Sequence, residues 1–293
     1  MTASRFKVVH RTAYAFSGDV SLGEHLLMLR PTDSHDLRLI EASLKISPNA
    51  DIRWQYDVFG NSVGRATFPD CADHLEITSE LVLERFPNSE ALRHRSMPVA
   101  YPFNYLADEL MDLGALVHPD YPGDEAILRE WITSNVGPLA PPRFNASTLL
   151  LELNSAIHSS IKYEAREAEG TQRPADTTVM GTGTCRDLAA LMIDAARILG
   201  FGARFVTGYI YSEALDGGSK SLLGAASTHA WAEIYVPLLG WVSYDPTNDL
   251  VESADLIKVA VVRTARQARP ISGVFTGPPG SEMNVWVDVT RST

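Results

Sequence analysis

A change of period constrains this chain more than any other feature. Over residues 5–86 apolar and polar side chains alternate in short runs, the period of half-buried strands; from Ser147 the apolar spacing stretches to three and four residues, the period of helices. Residues 5–16 mix β-branched and aromatic types. Residues 25–30 stop at Pro31, and 37–47 stop at Pro48-Asn49. Residues 52–56 run into the turn Asp57-Val58-Phe59-Gly60-Asn61, 62–68 end at Pro69-Asp70, and 74–86 form one long alternating run. Short strands at this spacing predict a β-sandwich or barrel.

Beyond them, prolines from Pro87 to Pro142 punctuate short helical pieces, with one helix expected over 124–134. The aromatics Tyr101, Phe103, Tyr105 and Trp131 predict that this connector wraps against the protein. Residues 147–162 place Leu150, Leu153, Ile157 and Ile161 on one helical face. Strand-like segments return at 203–211, 228–236, 241–245, 258–264 and 283–289. The expected fold class is α+β: a β-sandwich-like domain over 1–90, a helical connector over 91–145, and over 146–293 a core of helices packed on an antiparallel sheet, holding the C-terminal strands. At 293 residues, two domains are expected.

Within the second half, Gly181-Thr182-Gly183-Thr184-Cys185-Arg186-Asp187 sets one of two cysteines where a glycine-rich turn becomes a helix. Leu188, Leu191, Met192, Ala195, Ile198 and Leu199 give that helix a buried face, and Gly200 stops it. Thr184 suits the N-cap and Asp187 the N3 position, a capping-box-like pair. Cys185 is then the first helical residue. Backbone N–H groups and the helix dipole favour negative charge there, the setting in which a cysteine becomes a nucleophile. Taken alone, the same residue is a small buried hydrophobe.

A nucleophilic thiol needs a base. His229 opens a strand in Thr228-His229-Ala230-Trp231, and Asp245 ends another in Ser243-Tyr244-Asp245-Pro246-Thr247. A hairpin centred on Pro237 sets His229 directly across from Asp245, whose carboxylate then fixes the imidazole tautomer. A loop centred on Leu239 instead moves the aspartate about two pairs along. Singly, His229 reads as a polar strand end, Asp245-Pro246 as a turn, and Trp231 and Trp241 as core. Their joint order behind Cys185 is what points to chemistry.

Composition narrows the partners. The formal charge of −11 and the lack of a basic–aromatic stripe argue against nucleic acid. No apolar run reaches membrane-spanning length, and no signal-peptide core opens the chain. Cys71 and Cys185 make neither a disulfide framework nor a zinc spacing, so a reducing compartment, the cytoplasm, is expected, with no cofactor and no metal.

In three blocks the chain resembles the transglutaminase-like superfamily of papain-like thiol enzymes. These are Gly183-Thr184-Cys185-Arg186-Asp187-Leu188-Ala189, Thr228-His229-Ala230-Trp231-Ala232-Glu233 and Gly240-Trp241-Val242-Ser243-Tyr244-Asp245-Pro246-Thr247. The resemblance implies Cys185 as nucleophile, His229 as general acid and base, and Asp245 as the orienting acid. His10-Arg11-Thr12-Ala13-Tyr14, Phe59-Gly60-Asn61 and Arg269-Pro270-Ile271-Ser272-Gly273-Val274 are similar to a bacterial branch with an N-terminal β-domain. Ala190 departs from the histidine that bacterial relatives often carry there, which touches substrate preference and not the triad. No acidic cluster resembles the calcium sites of animal transglutaminases. The implied activity is acyl transfer through a thioester from a peptide or protein amide, as a peptidase or amidase. Amine transfer by a transglutaminase and a non-catalytic scaffold are the alternatives. An arylamine acyltransferase also uses Cys, His and Asp, but its aspartate context does not look like Asp245-Pro246-Thr247.

Overall fold

A computed structural model describes residues 3–86, 99–138, 145–166, 170–217 and 221–292. Pro87, Pro98, Pro141 and Pro142 of the connector lie outside them. The first half runs β1 (Ser4–Leu22), β2 (His25–Arg30), β3 (Leu37–Ser47), β4 (Asp51–Tyr56), β5 (Ser62–Thr67) and β6 (Ala72–Arg85). Helices follow: α1 (Ala107–Leu113), α2 (Glu125–Asn135), α3 (Ala146–Ser160), α4 (Pro174–Met180) and α5 (Cys185–Ile198), with short strands β7 (Lys162–Tyr163) and β8 (Thr182–Gly183) among them. The remainder is β9 (Gly202–Ile210), β10 (His229–Val236), β11 (Gly240–Asp245), β12 (Leu250–Val251), β13 (Leu256–Val262), β14 (Ile271–Ser272), β15 (Phe275–Thr276) and β16 (Ser281–Ser292).

The expected sandwich is present as two sheets, β15-β1-β6-β3 with β16 also on β1, and β14-β2-β5-β4. Its last strands come from the far end of the sequence. Arg5 pairs with Ser292 and Phe16 with Ser281, and Ile271 pairs with Leu27. Of the late strands expected in the second unit, 258–264 stays there as β13, while 283–289, within β16, belongs to the first unit's sheet. The physical reason is an unpartnered edge: β1 has β6 on one side only, and a long strand left open on the other exposes a row of backbone donors and acceptors.

The second unit is the antiparallel sheet β12-β11-β10-β9-β13 with α5 across it. Helices α2, α3 and α4 pack on the other side of α5. That is why its buried surface is wider than one apolar stripe and takes in Asp187, Asp194 and Arg197. The connector wraps as expected. Tyr101 donates to Leu199 O (3.1 Å), Tyr105 donates to Tyr235 O (2.6 Å) and accepts from Gly202 N (2.9 Å). Asp194 accepts from the backbone of Asp120 (2.9 Å) and Tyr121 (3.2 Å), and Arg197, wholly buried, pairs with Asp120 at 3.2 Å.

Phe6, Val8, Leu81 and Leu83 of the first sheet pack on Tyr209, Tyr211, Ile257 and Val259 of the second. Each such side chain contributes roughly 1.5–3 kcal/mol on burial. Asn61 locks the join: its amide donates to Val261 O (2.6 Å) and accepts from Val261 N (2.8 Å). Asp57 holds the turn that presents it, accepting from Phe59 N, Asn61 N and the Asn61 amide. Among the described residues no helix is long and apolar enough to cross a membrane.

Candidate active site

Cys185 is the first residue of α5, as its spacing predicts. The turn before it is built in three steps. Gly181 closes α4 in the left-handed conformation (φ 65°), which a side chain would strain. β7 and β8 then pair in parallel, with Lys162 N donating to Gly181 O (2.8 Å) and Glu164 N to Gly183 O (2.9 Å). Asp187 finishes the turn. Its buried carboxylate accepts from Thr184 N (2.9 Å), Thr184 Oγ1 (2.9 Å), Gln172 N (2.7 Å), Gln172 Nε2 (3.2 Å) and Arg166 Nη2 (3.2 Å). Thr184 and Asp187 form the expected capping pair, and Asp187 accepts from both the Thr184 N–H and the Thr184 hydroxyl. The sequence pattern marks Asp187 as a helix cap alone. It holds the whole nucleophile turn.

His229 and Asp245 come together in a register other than the expected one. Val236 pairs with Gly240 and Ala232 with Tyr244, so the hairpin centres on Leu238, not Pro237. Leu238 takes φ 68° and Gly240 φ 77° to make the turn. The residue in register with Asp245 is therefore Trp231, and His229 lies one step along on the same face. Moving a turn centre by one residue moves the partner by two, which preserves the face. Diagonal neighbours on a sheet remain within reach of long side chains, and His229 Nε2 donates to Asp245 Oδ2 at 2.9 Å with both side chains fully buried. Trp231 is core as expected, its ring 6.0 Å from that of His229. Trp241 is only half buried, with the Arg204 guanidinium 4.0 Å over its ring.

Electrostatics fix the charge states. Burial pulls the imidazole of His229 down, but the charge and hydrogen bond of Asp245, helped by Cys185, outweigh it and raise the group to about 10. Burial also pushes the Asp245 carboxyl up, and is outweighed by the His229 cation and by donors from Asn248 and Thr247, so it lies below the usual range. With Nε2 committed to Asp245, Nδ1 is the nitrogen left for the thiol, and it has no hydrogen-bond partner among the described residues. The pair can draw a proton off a thiol and hold it as an imidazolium.

Two further groups surround this pair without a signal in the sequence. Asn248 donates to Asp245 Oδ2 (2.9 Å) and clasps Leu223 by both backbone groups, accepting from its N–H (2.7 Å) and donating to its carbonyl (3.2 Å). This clasp lays the loop before His229 over the imidazole. A Cβ on Gly224, which sits at φ 81°, would stand 2.6 Å from His229 Nδ1. The segment before His229 is thus pinned at Leu223. Tyr163, on β7, packs against the core cluster that contains Cys185. Burial, then the charge of Cys185, raises its phenol, which stays protonated as a donor.

Thiol and imidazole open on a cavity of about 700 Å³. The N-terminal unit supplies its far wall: His10, Thr12, Tyr14 and Phe16 from β1, and Met283 and Val285 from β16. The inward face of β1 is core at Phe6 and Val8 and becomes cavity wall from His10 onward. His10 bonds the Tyr209 hydroxyl (2.9 Å) and Thr12 (3.1 Å), and burial lowers it to about 4, so it is neutral at physiological pH. No group of acids, histidines or cysteines placed to hold a metal ion occurs among the described residues.

Comparison with known proteins matches both halves. Residues 6–84 fit the bacterial transglutaminase-like N-terminal region, and residues 141–246, which include all three candidate residues, fit the transglutaminase-like superfamily. An uncharacterized protein of Mycobacterium tuberculosis is 28% identical over 97% of this chain and 92% of its own. The protein-glutamine gamma-glutamyltransferase of Pseudomonas aeruginosa is 38% identical over 22% of this chain and 10% of its own. A solved cysteine-protease candidate from Cytophaga hutchinsonii has TM-score 0.75 at 19% identity, covering 99% of this chain and 91% of that one, a likeness of fold.

Proposed function

The chain is a member of the transglutaminase-like superfamily with a bacterial-type N-terminal region, and on that premise we propose that it is a thiol-dependent acyl-transfer enzyme, a cysteine peptidase or amidase. One observation carries the reading: the buried 2.9 Å bond from His229 to Asp245, which leaves Nδ1 free beside a cysteine at a helix start. Cys185 Sγ, its proton already passed to His229 Nδ1, attacks the carbonyl carbon of a peptide or protein amide as the thiolate. The oxyanion is held by the Cys185 backbone N–H. His229 returns the proton to the departing amine as the C–N bond breaks, leaving a thioester. Water, deprotonated by His229, then releases the acid and restores the thiol. A reducing cytoplasm suits the two free cysteines.

The partial identity to a protein-glutamine gamma-glutamyltransferase favours a second reading, in which a primary amine replaces water. One assay decides. A glutamine-containing peptide is supplied with and without a primary amine, and ammonia release is compared with amine incorporation. Release without incorporation supports the hydrolase and incorporation the transferase. If no amide substrate acylates Cys185, both are wrong.

Two substitutions probe the base. In Asp245→Asn the carboxylate charge that raises His229 is gone while burial, which lowers it, stays. The alkaline limb of the acylation rate, near pH 10 in the parent, is expected to move to lower pH. An unmoved limb in the pH profile argues that another group sets it. Gly224→Ala puts a methyl against Nδ1 and strains a left-handed residue. Since a ~1 Å displacement of a reacting group costs about 10²-fold, kcat is expected to fall by that order. The melting temperature tells this apart from unfolding.

A further inference from the structure

Charge in the cavity runs against that of the molecule. The chain carries a formal −11, yet among the described residues the cavity is lined by Arg166, Arg186, Arg266 and Arg269 and by no Asp or Glu. Two of the four have structural work. Arg166 reaches Gly170 O and Asp187 (both 3.2 Å). Arg186 donates to Ala265 O (2.5 Å) and Ala268 O (3.1 Å) and lies over the Phe205 ring. Arg266 and Arg269 are exposed and have no carboxylate partner among the described residues.

Their backbone is fixed relative to the nucleophile. Arg266 sits in the 3₁₀ turn Ala265–Gln267, which is capped by Gln267 Oε1 accepting from Thr264 N (3.1 Å). That turn's carbonyls hold Arg186, the residue after Cys185. Arg269 is followed by Pro270, whose carbonyl accepts from Met28 N (2.8 Å), and by Ile271, paired with Leu27. An arginine on an open convex surface is satisfied by water. In a concave site, low-dielectric walls focus the field, and a guanidinium fork matches a carboxylate.

We propose that the cavity beside Cys185 is a carboxylate-recognition site, in which Arg266 and Arg269 bind a carboxylate of the acyl-donor substrate next to the scissile amide. The substrate part of this rests on the acyl-transfer reading; the anion site does not. The carboxylate comes either from an acidic side chain or from a free peptide C-terminus.

The test uses two alkylating agents of similar shape, iodoacetate and iodoacetamide, on the full-length protein. Exposed Cys71 serves as the internal reference. The iodoacetate-to-iodoacetamide rate ratio at Cys185, divided by that at Cys71, is expected to be about tenfold or more, and to shrink as salt screens the arginines. His229 raises the ratio too, so the deciding comparison is with R266Q/R269Q, where a fall of about fivefold is expected. An unchanged ratio in that variant overturns the proposal. In the second arm, peptides differing by Glu against Gln beside the amide, or by C-terminal carboxylate against carboxamide, are compared by kcat/KM. The pair preferred in the parent, and no longer preferred in R266Q/R269Q, names the source of the carboxylate. Cleavage with equal preference in both pairs overturns the substrate assignment. If the alkylation ratio collapses in the variant while no peptide is cleaved, the anion site stands and the acyl-transfer reading falls.

Discussion

Cys185→Ala is expected to abolish thioester formation, lowering turnover by about 10⁴-fold or more, as loss of a nucleophile does in enzymes that work through covalent intermediates. The variant keeps its fold. Alanine is the best helix former, the position is the first of α5, and the lost sulfur leaves a small gap at a buried site. The turn before it is held by Asp187 and its five contacts, none of which touches the thiol. Mass spectrometry after mixing with an amide substrate then reads the acyl-enzyme directly: present in the parent, absent in the variant, with the melting temperature little changed. Turnover that survives in Cys185→Ala would place the nucleophile elsewhere and sink the proposed mechanism. His229→Ala has a different signature, since the thiol is present but lacks its base. It should retain slow acylation by activated esters, whose leaving groups need no proton, and lose amides.

Arg197→Ala carries the largest expected effect on stability. The guanidinium is fully buried and meets Asp120 at 3.2 Å, Asp194 at 3.5 Å, and the carbonyls of Leu116 (3.0 Å), Ala203 (2.9 Å) and Arg263 (2.8 Å). Burial lowers the arginine and raises Asp194, so each depends on the other for compensation. Removing the cation strands a buried carboxylate and three carbonyls, which costs about 3–5 kcal/mol. For a chain this long, that is a fall in melting temperature on the order of 10 °C. Arg197→Lys restores the charge but not the fork, and is expected to recover only part. A change within 2 °C for the alanine variant, a margin of roughly 1 kcal/mol, would mean that water fills the site and that the clasp between connector and α5 is dispensable.

Cys185, His229 and Asp245 were legible because each sits on a strong local pattern: a capped helix start, a strand opening and an Asp-Pro turn. Their meeting did not require the right register. The centre at Leu238 shifts the pairing but not the face, and the 2.9 Å bond forms diagonally. What stayed hidden depends on contacts between segments far apart. Asn61 and Asn248 look like ordinary turn residues, yet one reaches Val261, 200 positions away, and the other ties Leu223 to Asp245. Strand β16 was visible as a strand, but alternation says which residues face inward and nothing about which edge receives them. Nothing local in the sequence marks the arginines at 266 and 269 as lining the same cavity as Cys185; the fold brings them there.

The pairing of β1 with β16 also sets an order of assembly. β1 and β6 are made early and can pair at once. The residues from α5 to β13, which hold Cys185, His229 and Asp245, are complete before Ser281–Ser292 leaves the ribosome. β16 must then close a loop of more than 250 residues to reach β1, a slow, non-local step. A nascent chain therefore holds Cys185 and His229 before it holds the enclosed cavity. Under the proposed function, timing itself restrains the chemistry during synthesis: a chain still on the ribosome presents a cysteine without a finished place for substrate to bind.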